Sequence, residues 1–88
     1  MEPTKEFMIN LLSKVQPLQR EALEKGFAAD IDTHISDFLQ GEERNCIYVD
    51  FYILEADIHY EFHYLDTEEQ SEAKLAMLRA DINALQYV

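Results

Sequence analysis

Positive charge is what this chain most lacks. Seven Lys and Arg stand against 18 Asp and Glu in 88 residues, a net charge of −11 at pH 7. Holding phosphate needs cations, so direct nucleic-acid binding is excluded, and the same field repels anionic membrane surfaces. No apolar run exceeds four residues, far short of the roughly 20 that cross a bilayer. The single cysteine, Cys46, cannot close an internal disulfide and fits a reducing cytoplasm. The opening MEPTKEFMINLL has neither a basic leader nor a small-residue cleavage site, which points the same way. With two Gly and two Pro, there is no low-complexity tract, no Gly-rich phosphate loop and no nucleophile elbow.

What is present is an ordinary globular composition, 48% hydrophobic. At this length it reads as one domain, residues 1–88, burying roughly 60–65% of the surface its unfolded chain exposes. The acidity is uneven. Residues 1–25 are neutral, residues 26–65 carry nine acids against Arg44 alone, and residues 66–88 carry five acids against two bases. An excess of −8 therefore falls on the middle segment, where it attracts basic proteins or cations.

Period separates the elements. Phe7, Met8, Leu11, Leu12 and Val15 recur at helical spacing. Pro17 kinks or splits that helix, and Gly26 ends it. From Phe27 the period falls to two: Phe27, Ala29, Ile31, Thr33 and Ile35 alternate with Asp30, Asp32, His34 and Ser36. A polar connection around Gly41, with a short turn at Phe38 and Leu39, leads to two further strands. Ile47, Val49, Phe51 and Ile53 form one apolar side; Ile58, Tyr60, Phe62 and Tyr64 form the other. LEAD between them is short enough to require a hairpin. Asp66 or Thr67 then caps a last helix with Leu75, Leu78, Ile82 and Leu85 on one seam. The expected fold is α+β, a two-layer sandwich of N-terminal helix, three-stranded antiparallel meander and C-terminal helix. Phe27, Ile31, Ile35, Ile47, Val49, Phe51, Ile53, Ile58, Tyr60 and Phe62 lie under the helices.

The reverse of that sheet collects the ionisable residues. Opposed strand residues share a face, so a loop of Leu54 to Asp57 closed by Ile53 and Ile58 sets Tyr52 opposite His59, Asp50 opposite Glu61 and Tyr48 opposite His63. Ile35 facing Ile47 adds Asp32 beside Asp50, His34 beside Tyr48 and Asp30 beside Tyr52. Like charges directly opposite destabilise a sheet, so the row Asp32, Asp50, Glu61 calls for compensation.

Three chemistries compete for this face. HYEFH reads as His-x-Glu-x-His, but on a strand His59 and His63 stand about 13 Å apart, beyond one ion. Only Asp50 and Glu61 with one histidine, or the three carboxylates together, suit a metal; no metal or cofactor is expected. Cys46 with His34 or His63 makes a nucleophilic dyad thinkable, yet an open sheet lacks a water-excluding pocket, and no catalytic residue is assigned. Tyr48 and Tyr52 among histidines and acids fit a protein contact. The expectation is a small, cytoplasmic, non-enzymatic binding module. It contacts a basic partner through Asp30, Asp32, His34, Tyr48, Asp50, Tyr52, His59, Glu61 and His63. It also forms a homodimer through that face, an edge strand, or the C-terminal helix with Met77, Tyr87 and Val88. The alternative is a metal- or small-ligand-binding protein or enzyme on the same face. In size and charge alone the chain resembles small acidic immunity proteins and inhibitors of bacteria and their mobile elements; the resemblance carries over no residue.

Overall fold

A computed structural model of the chain describes residues 3–35 and 47–86. Helix α1, Pro3–Glu24, buries Met8, Leu11, Val15, Leu18 and Ala22, each three or four positions from the last. Of the two forms expected at Pro17, the chain adopts the single helix, with the proline inside it. Pro17 is exposed, so the backbone hydrogen bond it forfeits lies on the watered side. The helix ends in a Schellman motif: Phe27 N–H donates to Ala22 O and Gly26 N–H to Leu23 O, both at 3.0 Å, with Gly26 at φ 94°. That left-handed position is one a β-carbon would strain.

The sheet follows in the expected order and register. Strands β1 (Asp30–His34), β2 (Tyr48–Ile53) and β3 (Ile58–His63) form an antiparallel meander, β1-β2-β3. Ile53 pairs with Ile58 across a hairpin built from a 3-10 turn, Leu54–Ala56, and Asp57 in the left-handed region. Val49, Phe51, Ile53 and Phe62 are fully buried. Helix α2, Glu68–Asn83, adds Leu75, Leu78 and Ile82, which close the core, while Leu85 packs on its margin. Both helices cover one face of the sheet, α1 over β1 and β2, α2 mainly over β3. No described helix is long and apolar enough to cross a membrane.

Four of the residues expected under the helices are half-buried or exposed. Ile35 is 50% exposed, because it stands beyond the last ladder pair, His34 with Tyr48, on the strand farthest from α2. Tyr60 is half-buried, its ring against the core and its hydroxyl donating to Asp81 on α2; a phenol held at a boundary satisfies both halves of its chemistry. Burial first, then that bond and the Asp81 charge, push its pKa up to about 12. Phe27 and Ile31 are half-buried at the core margin. At α2 the chain uses Thr67 as cap: its side chain accepts from Gln70 N–H, and Gln70 Oε1 accepts from Thr67 N–H. Cys46, the turn at Phe38 and Leu39, and Tyr87 and Val88 lie outside the described residues.

Candidate functional site

Strand period places all nine expected residues on the face the helices leave open. The ladder sets Asp32 against Asp50 and Asp50 against Glu61. On one side of this acid row stand His34, Tyr48 and His63; on the other stand Asp30, Tyr52 and His59. Asp50 occupies the middle of the middle strand, and its side chain is 16% exposed against 55% for His59. Flanking strands shield it while leaving the rim to solvent.

The repulsion that the sequence implied is answered by imidazoles. Asp50 Oδ2 lies 3.7 Å from His34 Nε2, and its Oδ1 lies 3.2 Å from His59 Nε2. The same His59 nitrogen is 3.9 Å from Glu61 Oε2, and Glu61 Oε1 is 3.1 Å from His63 Nε2. The result is a chain His34–Asp50–His59–Glu61–His63 in which each carboxylate sits between two rings. The contacts at 3.2 and 3.1 Å are hydrogen bonds, while those at 3.7 and 3.9 Å are longer approaches of ring to carboxylate. Aromatic contacts hold the rings in place. His34 stacks on Tyr48 at 4.3 Å, Tyr48 leans on His63 at 5.2 Å, and His59 meets Tyr52 edge-on at 6.3 Å. Asp32 is engaged differently, accepting from Tyr52 Oη at 3.0 Å. That bond is the main reason the Tyr52 pKa is raised, with desolvation and the charges of Asp32, Asp30 and Asp50 adding to it.

Two features escape a reading by period. The outer edge of β3 is closed by a lysine clamp: Lys74 Nζ donates to Glu61 O at 2.8 Å and to Asp66 Oδ2 at 2.7 Å. Asp66 Oδ2 also accepts from His63 N–H at 3.1 Å. Burial pushes the Asp66 carboxyl up, but the bonds from Lys74 and His63 and their charges outweigh it and hold its pKa below the ordinary carboxylate range. Asp66, one of the two expected caps, thus serves the sheet edge instead of the helix. The second feature is Lys25, 9% exposed at the end of α1. Its ammonium donates to Ile82 O at 2.8 Å and Asn83 O at 3.2 Å, the last turn of α2.

Chemically, the face offers carboxylates and imidazoles around Asp50, beside an open concavity of about 400 Å³ lined by Asp50, Tyr52, Leu54, Asp57 and His59 among others. Among the described residues, Asp50, His59 and Glu61 each present one donor atom within 4.8 Å of the others. His59 and His63 are not brought onto one point; each serves its own carboxylate oxygen. The dyad with Cys46 lies outside the described residues. No family model, curated protein or solved structure matches the chain.

Proposed function

We propose that the open sheet face is the contact surface of a small, cytoplasmic, non-enzymatic binding protein whose partner is a basic protein, in the manner of an inhibitor, an immunity protein or a DNA mimic. One observation carries this reading. Asp30, Asp32, Asp50 and Glu61 share a face with Tyr48 and Tyr52, and among the described residues the three strands bring no Lys or Arg to it. A basic surface laid on it neutralises the acid row, while the half-buried tyrosine rings supply area at small entropic cost. The protein acts as a homodimer. The test separates the face from bulk acidity. Proteins retained from lysate on the immobilised chain are compared with those retained by Tyr48→Ala/Tyr52→Ala, by Asp32→Asn/Asp50→Asn, and by Glu68→Gln/Glu69→Gln on α2. Basic proteins held by wild type and the α2 variant but released by both face variants support the proposal. Equal loss with the α2 variant, or no loss with the face variants, refutes it.

The Asp50, His59 and Glu61 cluster favours a second reading, a bound divalent ion. Two donors each bound to one tetrahedral ion at the usual length stand roughly 3.3–3.6 Å apart, near the separations of 3.2 and 3.9 Å from the His59 nitrogen, and imidazole with carboxylate suits Zn or Mn over Ca. Asp32, drawn to Tyr52, is turned away from a three-carboxylate site. Under this reading Zn titrated into the full chain gives one-site heat and a raised melting temperature, and His59→Ala weakens binding roughly 10-fold or more. Absence of heat with Zn, Mn and Ca removes it.

A further inference from the structure

We infer that the homodimer forms by antiparallel pairing of β1 with β1 of a second copy, in one register centred on Thr33, making a continuous six-stranded sheet. The inference rests on the dimer proposed above and is independent of the basic partner.

Strand hydrogen-bond parity exposes the pairing groups. Tyr64 N–H donates to Ile47 O at 2.9 Å, in the register that pairs Phe62 with Val49. The odd residues of β2 therefore bond toward β3, and its even residues bond toward β1. Through Asp32–Asp50 and His34–Tyr48, the even residues of β1 bond inward. Ile31, Thr33 and Ile35 then direct their N–H and C=O groups outward, along the edge of the described sheet. On the opposite edge, Lys74 and Asp66 already occupy Glu61 O and His63 N–H. At β1 the ladder has a defined start, because Ala29 O already accepts from Gln19 Nε2 at 2.9 Å.

Charge selects the register. Centring the two-fold axis on Asp32 would set Asp32 against its own copy, and centring it on Ile31 would set Asp30 against Asp32; both repeat the like-charge clash. Centring on His34 sets two imidazoles together and leaves the acids unanswered. Centring on Thr33 puts Asp32 opposite His34 of the second copy twice, pairs Thr33 with Thr33, and lays Ile31 against Ile35. Asp32 binds Tyr52 through Oδ2, and its other oxygen has no partner among the described residues. Ile35, half-exposed in the single chain, gains an apolar neighbour on the helix side. A two-fold contact of this kind is self-complementary, as a symmetric dimer requires. It also doubles the open acidic face.

The experiment is sedimentation of the full chain across a concentration series, with cross-linking in a Cys46→Ser background. The expected result is a reversible dimer whose dissociation constant rises roughly 10–100-fold in Thr33→Pro, which removes both central N–H donors from the edge but none from the β1–β2 ladder. His34→Asp weakens it similarly by opposing carboxylates, and Asp32→His/His34→Asp restores it. Thr33→Cys oxidises to a covalent dimer, whereas Asp32→Cys and His34→Cys do not, since only residue 33 meets itself in this register. A dimer indifferent to Thr33→Pro, or cross-linked through residue 32 or 34, overturns the β1 pairing and leaves the homodimer standing. A monomer throughout the series, up to about 1 mM, overturns both.

Discussion

Replacing Lys25 with methionine is expected to lower the unfolding free energy by about 2–3 kcal/mol, a large effect for a charged side chain at a helix end. Lys25 is buried, and its ammonium reaches two carbonyls, Ile82 O and Asn83 O, 57 and 58 positions along the chain. The last carbonyls of a helix have no intrahelical donor and carry the negative end of its dipole. Ile82 O keeps the Leu85 N–H at 3.1 Å; the Asn83 carbonyl is the group left exposed to the loss. Methionine fills the stem's volume and escapes the cost of desolvating a charge, so the difference measures the bonds more than the packing. Lys25→Arg, which retains charge and donors, should lose less. Urea unfolding with an unchanged slope and a lowered midpoint is the expected record. A midpoint equal to wild type would mean that ammonium desolvation cancels the carbonyl bonds.

The sheet was legible in the sequence because its information is local and redundant. Alternation in β2 and β3 fixes which residues face inward, and a loop of four residues leaves one register that keeps Ile53 opposite Ile58. Every expected pair between β2 and β3 follows from those two facts, while the β1 pairs needed the further expectation that Ile35 faces Ile47. Ile35 shows what period does not encode: it gives the side of the ribbon, but burial needs something to lie on that side, and the helices do not cover the end of β1. Pro17 is a second case. Proline forbids a backbone donor, yet whether a helix breaks depends on the packing of the stripe either side of it, and Met8 through Ala22 hold one continuous face against the core.

The site divides in the same way. Period places Asp50 among histidines, but it does not say which imidazole takes which oxygen. That depends on rotamers set by stacking with Tyr48 and Tyr52. The lysines were illegible for a different reason. Lys25 and Lys74 bind backbone carbonyls, and a carbonyl looks alike in every residue, so neither partner leaves a mark in the sequence. Asp66 was visible as a helix cap because capping boxes have a spacing; its use by β3 has none. Lys25 and Lys74 thus work inside the fold, Lys14 and Arg20 pair with acids on the helices, and among the described residues the three strands contribute no cation to the open face.

Asp66→Asn is expected to cost about 1–2 kcal/mol at neutral pH and progressively less in acid. Asparagine can still accept from His63 N–H, so what is lost is the charged bond from Lys74, 2.7 Å long and partly sheltered. The native Asp66 pKa lies below its ordinary value because the Lys74 and His63 bonds overcome burial. The unfolded chain therefore takes up a proton there before the folded one does. Its contribution is complete above the ordinary carboxylate range and is lost as pH falls through the lowered native value. Wild type and variant should converge in that window, read as melting temperature against pH at fixed low salt. Loosening this corner also frees Glu61 O at the outer edge of β3, so a second consequence is faster amide exchange at Phe62 and His63 while Asp32 and His34, whose N–H groups bond to β2, keep their wild-type rates. A stability gap independent of pH would show that Asp66 holds the edge by shape and not by charge, and exchange accelerated equally in β1 would show that the corner and the far edge open together.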